Sequence, residues 1–280
     1  MDRFASPFSF LPGTGRGTTR RVVEGPHPTA EPWRPAAQPL HHATRGPRAG
    51  EDGRWRPGEA AACRHTELFA SADEASGAAL ALALACDAAE DRCDHRPWLW
   101  VQDKAAIRLS GRPYRPGLPA ALRHRLIHVA ADRAEDALFA LEEALRCRDL
   151  AFVIGEVAGN PAALDFTASR RLSLVAERHG VPLWLVRLSA RHDLGSARMR
   201  WDVAAAPSPP PRWNHDAPGD PRWRADLFRA YVFQPGQWTL GHDAAGQRLG
   251  AFDPDTAAPD HGGVVPGAGD RPLASVPGRG

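Results

Sequence analysis

The sequence predicts an α/β protein: a mostly parallel sheet flanked by helices, a small antiparallel meander after it, and disordered termini. Three observations carry this. Short apolar runs alternate with amphipathic helical stretches through the middle of the chain, and strands spaced that way need crossover connections. Beyond residue 206 the strand-like runs follow one another directly, joined by Pro-Gly and Ala-Gly turns. Pro, Gly, Thr and Arg crowd the N-terminal segment and Pro, Gly and Asp the C-terminal one, with too little apolar surface to offset the entropy of ordering. The expected divisions are a disordered Pro/Arg-rich tail over 1–60, the α/β domain over 61–206, a Pro-rich linker over 207–222, the meander over 223–253 and a disordered tail over 254–280.

Arg64 to Ala70 reads as the first strand and Ser71 to Ala89 as an Ala/Leu helix. Strands follow at Pro97 to Gln102 and Leu126 to Ala130. Asp132 with Glu135 has the spacing of a capping box, and Ala134, Ala137, Leu138, Leu141 and Leu145 fall on one face of the helix it opens. Leu150 to Val157 is a buried strand. Asn160 is placed to cap the next helix with Pro161 at its first position. Ala168, Leu172, Val175 and Ala176 line its inner face, and Gly180 and Pro182 end it. Pro182 to Leu188 is the strand after it. Short strands are expected at Arg198 to Ala204, Leu227 to Phe233, Gln237 to Leu240 and Gln247 to Phe252.

Composition removes several classes of function. In 280 residues, 35 basic side chains face 33 acidic ones, so the net charge of +2 announces neither a nucleic acid nor a membrane partner. Only residues 1–60 lean basic, with nine Arg against six acids. Lys104 is the only lysine in the chain and has no glycine-rich stretch before it, so a GxxxxGK[ST] phosphate loop is absent and Schiff-base chemistry has one poor candidate. The four cysteines form no CxxC pair and the N-terminus lacks a signal pattern, which reads as a cytoplasmic chain with reduced thiols and no cofactor. Ala78 to Cys86, the longest apolar run, is about half the length that spans a bilayer.

Cys63 with His65 and Cys93 with His95 flank the first helix. A shared zinc is disfavoured, because that helix would hold the pairs roughly 25 Å apart at ~1.5 Å per residue. No GxSxG elbow, HExxH helix or nucleophile word occurs, so hydrolytic chemistry has no foothold and the chain reads as a non-enzyme.

The segment from Arg108 to Arg125 is acid-free. Arg108, Arg112, Arg115, Arg123 and Arg125 are interleaved with Tyr114 and His124 and stiffened by Pro113, Pro116 and Pro119. Forked guanidinium donors suit phosphates and an aromatic face suits an exposed base, the pairing that single-strand binders use. A solvated loop whose arginines pair with nearby acids is the alternative. Arg170 and Arg171, with Arg178, form a second basic stripe, nucleic-acid-binding or simply a wet helix face.

The stretches WLWVQDKAAIRLSGRPYRPGLP, LEEALRCRDLAFVIGEVAGNPAALDFTASRRLSLVAERHGVPLWLVRLSA and SARMRWDVAAAPS resemble the ImuA family, and the order of elements resembles the RecA core. The resemblance covers roughly Cys63 to Phe252. It implies a degenerate RecA-like domain and a role in DNA-damage-induced translesion synthesis, with ImuB and an error-prone C-family polymerase as partners and RecA and single-stranded DNA as further ones. It puts the phosphate-loop position at Phe69 to Gly77, where Asp73 and Glu74 would put like charge beside a triphosphate and outweigh the ~1 kcal/mol that a helix N-terminus returns, and Gly77 is the one glycine. It puts the magnesium-directed acid of the Walker B strand at Gly155, displacing the carboxylate to Glu156, and a catalytic acid at Asp103. Glu156 and Asp103 also read as ordinary strand-end carboxylates. The reading that results is a noncatalytic adaptor. The alternatives are an NTPase with a degenerate site and an interaction protein without a DNA role, similar to a cell-division inhibitor.

In the meander, Leu227, Tyr231 and Phe233 recur at near-alternate spacing, and Trp238 and Leu240 follow the Pro-Gly turn. Such residues either present a partner surface or cap the α/β core.

Overall fold

Strand β1 (His65–Ala70) runs through the middle of the sheet with every residue buried, the polar His65, Thr66 and Glu67 as well as the apolar Leu68, Phe69 and Ala70. The computed structural model describes residues 53–89, 94–211, 214, 217, 219–242 and 248–253. After β1 come α1 (Ser76–Ala88), β2 (Trp98–Asp103), α2 (Lys104–Ser110), α3 (Ala120–Arg123), β3 (Leu126–Ala131), α4 (Ala134–Arg146), β4 (Val153–Ala158), α5 (Phe166–His179) and β5 (Leu183–Leu188). Strands β6 (Met199–Ala206), β7 (Arg222–Ala230), β8 (Gly236–His242) and β9 (Leu249–Phe252) complete the chain. The nine strands form one sheet in the order β3-β2-β4-β5-β1-β6-β7-β8-β9. It is parallel from β3 to β6 and antiparallel from β6 to β9. The expected class, a mostly parallel sheet with flanking helices and a C-terminal antiparallel meander, is what the chain forms.

Alternation along the strands splits the core into two layers. Leu68, Ile154, Val186, Trp201 and Leu227 face α1. Val153, Leu183 and Leu185 face α4 and α5, whose Leu138, Leu141, Leu145 and Leu172 lie on the predicted inner faces. Gly180 ends α5 at φ 75°, a left-handed conformation that glycine adopts without cost.

Several local expectations are corrected. Helix α1 starts at Ser76 instead of Ser71, because Ser71 to Ala75 form a turn that carries the chain off β1. The capping box is not made: Arg133 stands at the N-cap of α4 without a side-chain cap, Asp132 pairs with Lys104 at 3.6 Å, and Asp136 pairs with Arg133. Helix α5 begins five residues after Pro161, where Asp165 caps it by accepting from the Ala168 amide at 2.7 Å, and Asn160 is used elsewhere. The basic stretch after β2 is helical at its start, since Asp103 caps α2 by accepting from the Ala106 amide. Packing reaches back before residue 61: Trp55 is fully buried, edge-on to Trp201 and Trp238, because the apolar face of β6 and β8 needs a cover. The expected tails over 1–52 and 254–280 lie outside the described residues.

Candidate functional site

The phosphate-loop position lies where β1 hands over to α1, at the carboxyl ends of the parallel strands, the usual ligand end of an open α/β sheet. Its polar groups serve the fold. The Ala72 amide donates to Ser189 Oγ at 3.0 Å and the Asp73 amide to Ser71 Oγ at 3.2 Å. Glu74 accepts from Ser76 Oγ at 2.6 Å and from the Ala205 amide of β6 at 3.0 and 3.1 Å, so it ties the loop to the neighbouring strand. Asp73 is exposed. Gly77 is a packing glycine, since a Cβ there would come within 2.7 Å of Ala70 Cβ. Two of the loop's amides are already bonded and it carries two carboxylates, which disfavours a triphosphate there.

Gly155, at the Walker B position, faces α4. A Cβ there would meet Leu185 and Leu141 at 2.9 and 3.0 Å, so no acid fits. Glu156 points to the other face and is buried, accepting from Gln102 Nε2 at 2.6 Å and Trp100 Nε1 at 3.1 Å. Burial pushes its carboxyl above the usual range, against those hydrogen bonds. Gln102 Oε1 in turn meets His128 Nε2 of β3 at 2.9 Å. Burial, with Arg112 and Arg115 nearby, lowers the His128 pKa. Asp103 is occupied as the α2 cap. The six expected nucleotide-site positions therefore do not converge on one ligand.

The densest polar cluster was not foreseen. Glu67, fully buried on β1, accepts from Arg200 Nε of β6 at 2.7 Å, and Arg187 of β5 approaches its other oxygen at 3.8 Å. Arg187 Nη2 donates to Asp193 at 2.9 Å, Arg200 Nη1 to the Asp193 carbonyl at 2.8 Å, and Asn160 Nδ2 to the Asp193 carboxylate at 2.8 Å. Burial alone would raise the Asp193 carboxyl, yet the hydrogen bonds from Arg187 and Asn160 hold it below its usual range. Phe69 lies 4.9 Å from the Arg200 guanidinium, and His192 stacks on Phe228 while bonding Asp202 at 2.7 Å. Two arginines and two acids balance, so the cluster pins the loop after β5 to the sheet. Its signal was present in the sequence: an Arg inside LWLVRL and a Glu inside HTELFA must find partners once the strands are buried. Beside it, a cavity of about 630 Å³ is lined by Ser71, Ser189, Asp202, Arg224 and Asp226 among others.

The arginines between α2 and β3 divide into two kinds. Arg123 donates to the Leu118 carbonyl, and Arg125 to the carbonyls of Ala121, Asp94 and Arg96, so both brace the backbone. Arg115 donates to the Leu126 carbonyl at 2.9 Å while remaining exposed. Arg108, Arg112 and Tyr114 face solvent. On α5, Arg171 pairs with Glu142 at 2.6 Å and Arg170 is exposed. The meander residues also separate. Leu227, Phe233 and Leu240 are buried in the core and Trp238 is half-buried against Trp55 and Trp201. Only Tyr231, 77% exposed, is open.

Among the described residues no helix is long and apolar enough to cross a membrane, and no group of three or more His, Cys, Asp or Glu is placed to hold a metal ion. Cys93 lies outside the described residues. Burial pushes the Cys63 thiol up to about 11.

No protein-family model matches the sequence. The chain is 36% identical over 188 residues to Protein ImuA of Caulobacter vibrioides strain NA1000 / CB15N, covering 62% of this chain and 71% of that protein. Protein ImuA of strain ATCC 19089 / CIP 103742 / CB 15 matches over the same length at the same identity. With that identity, that coverage and the sheet described above, the chain belongs to the ImuA family.

Proposed function

We propose that the chain is a noncatalytic adaptor of a DNA-damage-induced mutagenic translesion-synthesis complex, linking ImuB and an error-prone C-family polymerase to DNA or RecA. Family membership supports the system. The observation that carries the noncatalytic part is Glu74, which spends its carboxylate on the Ala205 amide and on Ser76 where a working loop would hold a lysine beside the phosphates. A RecA-like sheet without a nucleotide keeps its use as a scaffold with surfaces for several partners. Arg108, Arg112 and Tyr114 are the nucleic-acid contacts this reading offers, with Arg170 as a further one.

Two measurements test it. Calorimetry with Mg·ATP is expected to show no binding at micromolar concentration, and a micromolar affinity would favour the NTPase reading. A pull-down of the purified chain with ImuB, the polymerase and RecA, with and without single-stranded DNA, is expected to retain ImuB. Loss of every partner would leave an interaction protein of another pathway, such as control of cell division.

A further inference from the structure

Strand β3 ends the sheet, with β2 on one side and, among the described residues, no strand on the other. The Trp98 amide donates to the Arg125 carbonyl at 3.1 Å, which sets the ladder. In a parallel pair, Arg125, Ile127, Val129 and Ala131 then bond to β2, while Leu126, His128 and Ala130 turn their backbone groups outward. Arg115 covers the Leu126 carbonyl. Among the described residues nothing bonds the outward amides and carbonyls of His128 and Ala130.

Folded proteins blunt such edges with prolines, charges, bulges or a covering segment. Among the described residues Leu126–Ala131 has none of these beyond Arg115 on the Leu126 carbonyl: it is LIHVAA, in unbroken register with β2 over six pairs, and Ile127 is 44% exposed. Its two faces differ in chemistry. Ile127 and Val129 lie on the α4 side, where Asp132, Asp136 and Glu143 are paired with Lys104, Arg133 and Arg146. His128 lies on the α2 side, in the field of Arg112 and Arg115. Arg112 is exposed there, Arg108 is exposed on the last turn of α2, and neither makes an ion pair among the described residues. A strand added to this edge would alternate in the same way, apolar against Ile127 and Val129, acidic against the arginines.

We infer that the open edge of β3 takes an extended segment of a partner protein in which acidic and apolar residues alternate, held by backbone pairing to His128 and Ala130 and by Arg108 and Arg112. This deepens the adaptor reading and rests on it. The chain's own termini fit poorly, since neither 1–52 nor 254–280 has three acids at alternate positions. Single-stranded DNA would use the arginines but neither the backbone row nor the apolar face.

The test is fluorescence anisotropy of the full chain with a synthetic peptide alternating Glu and Val, its scrambled version, a Lys/Val version, and oligo-dT. The Glu/Val peptide should bind roughly tenfold tighter than the scramble. Ala130→Pro puts a ring where an outward amide was and removes no bond to β2, and Ile127→Lys adds an edge charge; each should weaken the peptide roughly tenfold while the circular-dichroism melt is unchanged. Should Ala130→Pro not fold, Ile127→Lys alone decides. Arg108→Glu with Arg112→Glu should turn the preference toward the Lys/Val peptide. Equal binding of the scramble, or full affinity in Ile127→Lys, overturns the proposal, as does oligo-dT binding with no preference of the surface for the Glu/Val peptide over its scramble, which would make the surface a nucleic-acid site alone. ImuB is not in this assay, so a failed ImuB pull-down overturns the adaptor reading separately.

Discussion

His65 is a buried base kept neutral. Its Nδ1 meets Ser173 Oγ at 2.7 Å, and burial first, then Arg200, lowers its pKa from 6.5 to about 3. Below pH 6.5 the unfolded chain gains a proton that the folded chain refuses. Stability is therefore complete above that pH and falls by roughly 1.4 kcal/mol per unit as pH drops toward 3. Asp193, held low, adds a loss of the same sign further into acid. Between pH 7 and pH 4.5, His65→Gln should lose about 2–3 kcal/mol less than the natural chain, read from urea midpoints. Equal losses in the two chains would mean that the imidazole is not the group responsible. The sequence shows a histidine at the head of an apolar run; that it is fully enclosed follows from α5 lying over β1, which no residue near it encodes.

At the scale of the element, the strands of the meander are legible from their alternation and turns, but the strand around Leu227 runs from Arg222 to Ala230, leaving Tyr231 and Phe233 in the turn beyond it. Trp238 packs edge-on to Trp55 at 5.8 Å and Trp201 at 5.5 Å, whereas Tyr231 touches the Arg198 guanidinium at 5.2 Å and is otherwise in water. The two aromatics, equivalent by spacing, should part in a denaturant titration: Trp238→Ala costs about 3 kcal/mol and Tyr231→Ala about 0.5 kcal/mol or less. Equal costs would refute the division. The basic segment divides for a similar reason. Arg123 and Arg125 lie where the turn into β3 leaves carbonyls uncovered, and an arginine there is worth more as a brace than as a free cation.

For the whole molecule, β6 and β7 pair over eight residue pairs, and Trp223, Leu227 and Leu240 share one apolar layer with Trp201, Leu68 and Leu84. We propose that residues 223–253 form a meander that completes the core instead of standing beside it. A chain cut after Ala206 should then fail to give a soluble, cooperatively melting protein, because it exposes the Trp201 face of β6 and an eight-residue edge. A soluble 1–206 chain with a sharp melt would make the meander a separate module.

The alternation of apolar runs with helices, the lysine-free loop after the first strand and the words shared with the ImuA family were enough for the sequence alone to determine the class of sheet, the helix faces and the family. These are local signals with periods of two or about 3.6 residues, and they survive in a single strand or helix. Tertiary structure alone decided which charges meet. Glu67 and Arg200 are 133 positions apart in the chain and 2.7 Å apart in space. That contact depends on β1 lying between β5 and β6, and the same order leaves β3 at an open edge. Strand order is set by the burial of the whole sheet, so only the folded chain reveals the ion cluster and the free edge.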